Sequence, residues 1–129
     1  MTTASEMVAA AKAEVENLTP AQVAEEVGEG TALLVDVREP DETATEAIDG
    51  ALPAPRGMIE FYADPNTPYH LAKFQSDRRI ILFCAAGSRS ALAARTLQDM
   101  GYTNVAHLDG GCKAWKEAGY AMTVPNREE

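Results

Sequence analysis

Two short apolar runs frame this chain, Ala32 to Val37 and Ile80 to Phe83, and Asn104 to Leu108 reads as a further strand. The Ile80 run has the length and β-branching of a buried strand, and the Ala32 run matches a strand buried on both faces of a parallel sheet. Around them the spacing turns helical. Ser5 to Glu16 sets Met7, Ala10, Ala11 and Val15 on one side, with a cap at or near Ser5. Thr19-Pro20-Ala21-Gln22 reads as a capping box with proline at the first helical position. That helix should run to about Val27 and stop at Gly28 and Gly30. Ser90 to Met100 places Ala93, Leu97 and Met100 on one face, and Gly101 ends it. Cys112 to Ala118 is a last helix, with Trp115 facing inward and Gly119 as its stop.

Lesser elements fill the intervals. Val15 to Leu18 reads as a short edge strand and Ala51 to Ala54 as another. Pro40 breaks the strand over Ala32 to Val37, and Asp41 to Ala47 forms one or two helical turns. Met58 to Tyr62 is a helical turn whose apolar residues wall a pocket, Asp64 to Pro68 is loop, and His70 to Phe74 reads as a short helix. Strand and helix patterns alternate, which predicts a single α/β domain with a parallel sheet of about five strands and helices on both faces. Residues 1–14 form an accessory helix ahead of a domain spanning 15–129.

The chemistry concentrates where the Ile80–Phe83 run stops. Cys84 follows it at once, then Ala85, Ala86, Gly87 and Ser88, then Arg89 and a helix. A strand that turns through small residues into a helix leaves backbone N–H groups unpaired, and these, with the helix dipole behind them, favour an anion. Amides from Ala85 to Arg89 form an anion nest. A cysteine there favours its thiolate, the reactive form. Arg89 adds a fixed charge and a fork suited to an oxyanion. Asp36 and Arg38 stand at the carboxyl end of another strand, where open α/β sheets place ligands; they read as an ion pair bracing the loops. Arg56 is balanced between the mouth of the site, holding an anionic donor, and a surface pair with Glu60 or Asp64. Neither His70 nor His107 adjoins Cys84, and both are assigned surface or packing roles.

Cys84-Ala85-Ala86-Gly87-Ser88-Arg89-Ser90 resembles the active-site loop of the rhodanese family of sulfurtransferases. Leu34-Val35-Asp36-Val37-Arg38-Glu39 resembles the family's first signature. His107-Leu108-Asp109-Gly110-Gly111, with Trp115 and Gly119, resembles its closing one. The resemblance covers about residues 15 to 122 and implies a three-layer α/β/α rhodanese-like domain. It also implies transfer of a sulfane sulfur through a persulfide on Cys84, from a small anionic donor such as thiosulfate. The acceptor would be cyanide, a thiol or a sulfur-carrier protein, with no cofactor and no metal. The chain departs from the family at Glu46-Ala47-Ile48-Asp49-Gly50-Ala51, where many members carry a histidine.

Composition narrows the alternatives. A net charge of −9 argues against a nucleic-acid surface but leaves room for a locally positive pocket. Two cysteines are too few for a disulfide framework. No basic, apolar leader opens the sequence and no stretch is apolar enough to span a membrane, so the expected location is cytoplasmic. A cysteine phosphatase or arsenate reductase is the nearest rival chemistry. Tyrosine-type phosphatases use Cys-x5-Arg, usually after a histidine, whereas Cys84-x4-Arg89 follows Phe83. A non-catalytic interaction module would not need Cys84, and a disulfide oxidoreductase would need a resolving partner that Cys112 is not placed to be.

Overall fold

The computed structural model describes residues 1–125; residues 126–129, the tail of the domain expected over 15–129, lie outside the described residues. In chain order the elements are α1 (Ala4–Glu14), β1 (Glu16–Leu18), α2 (Pro20–Glu29), β2 (Leu33–Asp36) and α3 (Pro40–Thr45). There follow β3 (Leu52–Pro53), a 3-10 turn (Arg56–Met58), α4 (Ile59–Ala63) and β4 (Ile80–Phe83). α5 (Ser88–Asp99), β5 (Val105–Leu108) and α6 (Gly111–Glu117) complete the fold. The strands form one five-stranded sheet in the order β1-β5-β4-β2-β3, with every pairing parallel. β4 lies at the centre, which is why its residues are apolar without alternation.

Alternation along the buried strands feeds two cores, one on each face. Ile80 and Leu82 pack with Leu33, Val35, Ala93, Ala94 and Leu97, on the side of α4 and α5. Ile81 and Phe83 pack with Leu34, Val23, Leu108 and Trp115, on the side of α2 and α6. Ile80, Ile81, Leu82 and Phe83 are each fully buried, and burying side chains of this size contributes about 1.5–3 kcal/mol apiece before entropy is counted. α1 packs against α5.

Local signals set most boundaries. The box at Thr19 and Gln22 forms in both directions, and α2 ends at Gly30, whose φ is +79°. The helix passes through Gly28 instead of stopping there. α1 is capped by Thr3 rather than Ser5, because Glu6 is placed to return the bond to the Thr3 amide at 2.8 Å. His70 to Phe74 is not a helix: the Leu71 amide donates to the Tyr62 carbonyl at 3.0 Å, outside the segment. Phe74 is drawn into the core, edge-on to Tyr102 with ring centroids 6.5 Å apart. The Met58–Tyr62 turn sends Ile59 into the core beside the sheet instead of walling a pocket. Met100, expected on the buried face of its helix, is exposed, because α5 ends before it.

Candidate active site

Cys84 follows the last residue of β4 and is 1% exposed. Gly87, at φ +105°, turns the chain so that α5 begins at Ser88, two residues earlier than the apolar pattern predicts. Helix starts usually bond a side-chain oxygen to the second or third amide. Gly87 offers none, and the Cys84 sulfur takes that place: Sγ accepts from the Ser90 amide at 3.3 Å and from the Gly87 amide at 3.1 Å.

The start of α6 braces this loop from outside. The Cys84 carbonyl accepts from the Cys112 amide at 2.9 Å, and the Ala85 carbonyl from Lys113 at 3.0 Å. Of the nest expected from Ala85 to Arg89, the Gly87 amide bonds to the sulfur, and the second donor, Ser90, lies one residue beyond it, where the first turn of α5 aims its amide back at Cys84. The close approach of α6 needs a residue without a side chain at Gly111, where a Cβ would lie 2.4 Å from the Cys84 carbonyl oxygen. The Asp109-Gly110-Gly111 turn is therefore part of the site.

Arg89 lies near the sulfur but makes its hydrogen bonds elsewhere. Its two terminal nitrogens donate to Glu42 of α3 at 2.8 and 3.0 Å, so the fork expected for an oxyanion grips a carboxylate. The fork, aided by the Glu39 amide at 2.9 Å, holds the Glu42 carboxyl at about 2 against an ordinary 4.5. A carboxyl held low when folded stabilises the protein above its ordinary value and loses that contribution as pH falls. Glu42→Gln is therefore expected to be less stable than the parent at neutral pH, and the difference should shrink between pH 4.5 and about 2. Denaturant unfolding at several pH values checks this; a constant difference would refute it. Both side chains are about a third exposed, so salt should weaken the effect.

The remaining expected residues divide. Asp36 and Arg38 form a buried pair at 2.8 Å, with the guanidinium also donating to the Glu42 and Glu46 carbonyls. They join β2 to α3, the helix that carries Glu42. Arg56 sits in the surface arrangement, not at the sulfur: it donates to Glu60 at 3.2 Å and to Thr96 at 3.1 Å. Its helical turn fixes it four residues from Glu60 and opposite the middle of α5. Arg56 instead lines a groove between α1 and α5, to which no residue from 84 to 90 contributes. Cys112 is 5% exposed in the core of the α2 and α6 face, and burial pushes its thiol up to about 11.

His107 is the residue the sequence reading missed. It is fully buried, and its Nδ1 lies 2.9 Å from the Ser90 hydroxyl, itself 3.6 Å from the Cys84 sulfur. The available signal was alternation: Ala106 and Leu108 face the α6 side, which turns His107 toward α5 and the residue three positions past its cap.

A strand-turn-helix cysteine loop on a five-stranded parallel sheet is the arrangement of a rhodanese-like domain. The chain belongs to that family: the rhodanese-like domain model matches residues 19–118. It is 34% identical over 93 residues to a sulfurtransferase of Allochromatium vinosum, covering 72% of this chain and 79% of that protein. It is 36% identical over 108 residues to the probable adenylyltransferase/sulfurtransferase MoeZ of Mycobacterium tuberculosis. That match covers 83% of this chain but 26% of MoeZ, so the chain spans about a quarter of that protein's length. Among solved structures it is similar to a Rhodopseudomonas palustris protein of unknown function, described as a possible tyrosine phosphatase. That likeness has a TM-score of 0.87 at 39% identity, over 95% of each chain. The family and its sulfurtransferase-named members support a sulfurtransferase-type function. Among the described residues no helix is long and apolar enough to cross a membrane.

Proposed function

We propose that this protein accepts a sulfane sulfur from a small anionic donor such as thiosulfate and passes it on through a persulfide on Cys84. The observation that carries the reading is the sulfur held under two amide donors, from Gly87 at 3.1 Å and Ser90 at 3.3 Å. Donors aimed at a sulfur atom stabilise negative charge there without reorganising. The thiolate attacks the outer sulfur of thiosulfate; a new S–S bond forms, the donor's S–S bond breaks, and sulfite leaves with the electron pair. A nucleophilic acceptor (cyanide, a thiol or a carrier protein) then attacks the outer persulfide sulfur, and the Cys84 thiolate leaves. Partner and acceptor identity come from the family reading, and cytoplasmic action is part of the same proposal.

Cysteine phosphatase chemistry is the second reading, favoured by the description of the Rhodopseudomonas relative. Loop size weighs against it. Four residues separate Cys84 from Arg89, and Arg89 is engaged by Glu42 rather than free to clamp a phosphate. The intact protein mixed with thiosulfate is expected to gain one sulfur, mapped by mass spectrometry to Cys84, and to show negligible hydrolysis of an aryl phosphate. Rapid aryl phosphate hydrolysis without sulfur uptake would reverse the assignment.

A further inference from the structure

A polar chain runs from the exposed edge of the sheet inward to the reactive sulfur. Asn17 of β1 and His107 of β5 are register partners in the parallel pairing, so their side chains lie side by side. The Asn17 amide nitrogen donates to the Lys12 carbonyl at 3.0 Å and the Val15 carbonyl at 3.1 Å, where α1 passes into β1. Both of its hydrogens are taken there, which leaves Oδ1 facing His107 Nε2 at 2.7 Å. An amide oxygen only accepts, so Nε2 carries the ring proton. Burial holds the imidazole at about 4, so the ring is neutral and Nδ1 is bare. Ser90 Oγ lies 2.9 Å from that bare nitrogen and gives it its single proton. The other acceptor within reach, the Gly87 carbonyl, is farther away at 3.4 Å. The serine lone pairs are then left for the Cys84 thiol, 3.6 Å away, to donate into.

We propose that His107, oriented by Asn17, is a positioning residue that turns the Ser90 hydroxyl away from Cys84, so that the Ser90 oxygen meets the sulfur as an acceptor and not as a donor. When the thiol ionises, its proton passes to water. The Ser90 O–H then leaves Nδ1 and turns to donate to the negative sulfur. That turn strands a buried Nδ1 without a partner, which opposes it. The chain therefore tunes how readily Cys84 becomes nucleophilic, and links that property to the junction between α1 and the sheet. Its consequence for sulfur transfer rests on the function proposed above, whereas the hydrogen-bond direction concerns the thiol alone. The charged or titratable groups around the chain are Arg89 and Cys112 near the sulfur, and Lys12 and Asp109 near the imidazole. Arg89 is paired with Glu42, and Lys12 with Asp109 at 3.3 Å, so neither cation stands in for the serine proton.

The test is alkylation of Cys84 by iodoacetamide, mapped to its peptide by mass spectrometry and followed across pH. His107→Leu removes the competing acceptor. It is expected to move the profile to lower pH and to speed alkylation on its acidic side by about tenfold, the gain of roughly one hydrogen bond to a charged group. Asn17→Ala, at an exposed edge position that need not disturb folding, frees the ring to change tautomer and should shift the profile the same way. In a Ser90→Ala background Asn17→Ala should change nothing. Nitrogen NMR of the parent ring is expected to show Nε2 protonated and Nδ1 bare. An Nδ1-protonated ring, an unchanged or alkaline-shifted profile in Asn17→Ala, or a shift that survives without Ser90 would overturn the proposal. Alkylation needs no sulfur donor, so failure to take sulfur from thiosulfate would sink the sulfurtransferase reading and leave this result standing.

Discussion

Cys84→Ser is expected to lose sulfur uptake from thiosulfate entirely, while Cys112→Ser keeps most of it. The difference comes from what surrounds each thiol. Cys84 stands at the end of the central strand with two amides on its sulfur, so a thiolate or persulfide there meets hydrogen-bond donors. A serine hydroxyl in the same cradle does not ionise near neutrality and cannot form a persulfide. Cys112 lies in the opposite core, where burial pushes its thiol up to about 11 and keeps it protonated at neutral pH. Its contribution to the site is its backbone amide, bonded to the Cys84 carbonyl at 2.9 Å, and that survives the substitution. Placing a hydroxyl in an apolar core should still lower stability, by about 1–2 kcal/mol. Intact-mass measurement after thiosulfate treatment, with unfolding curves as a control, checks both halves. Sulfur retained on the Cys84 variant would move the nucleophile elsewhere.

The largest loss of stability is expected from Gly111→Ala. Its φ of +59° already disfavours a side chain, by about 1–2 kcal/mol. In addition the new Cβ would stand 2.4 Å from the Cys84 carbonyl oxygen and 2.7 Å from that of Ala85, and neither is a flexible side-chain end that could move aside. Relieving the overlap pulls α6 away from the loop and breaks the two bonds that Cys112 and Lys113 donate to it. We expect about 3 kcal/mol or more in total, a fall in Tm of about 10 °C for a chain of this size. Gly50→Ala is the matched control. Its φ is +86° but no atom lies within 4 Å of the added Cβ, so only the conformational part should appear. Sulfur uptake should fall with Gly111→Ala and be unaffected by Gly50→Ala. Equal losses in the two variants would mean that α6 does not brace the loop.

Much of the framework was legible because its signals are local or depend on burial alone. A central parallel strand has no exposed face, so Ile80 to Phe83 carries no polar residue, and that continuity marks it in the sequence. The box at Thr19 and Gln22 is written within four residues and forms as read. The cysteine, its small-residue turn and the glycine pair that meets it are each contiguous too, and the need for close backbone approach explains the glycines.

Partners were not legible where long-range geometry chooses them. Arg89 and Glu42 are 47 positions apart, and nothing near Arg89 announces that its fork is already occupied. Arg56 meets Thr96 across 40 positions for the same reason. The reading of His70 to Phe74 as a helix failed because a bond from Leu71 to Tyr62, formed only once the loop folds back, outweighs a weak helical pattern. His107 is the sharpest case. Its ring proton is placed by Asn17, 90 residues away, and its other nitrogen meets Ser90 across the start of α5. The sequence by itself determined which strands are buried and where a nucleophile could sit, since hydrophobic continuity and turn chemistry are properties of neighbouring residues. Which side chain touches that nucleophile was decided only by the register of β1 against β5 and by the docking of α5 and α6. Those depend on how separate segments pack, and packing brings together residues that the chain keeps far apart.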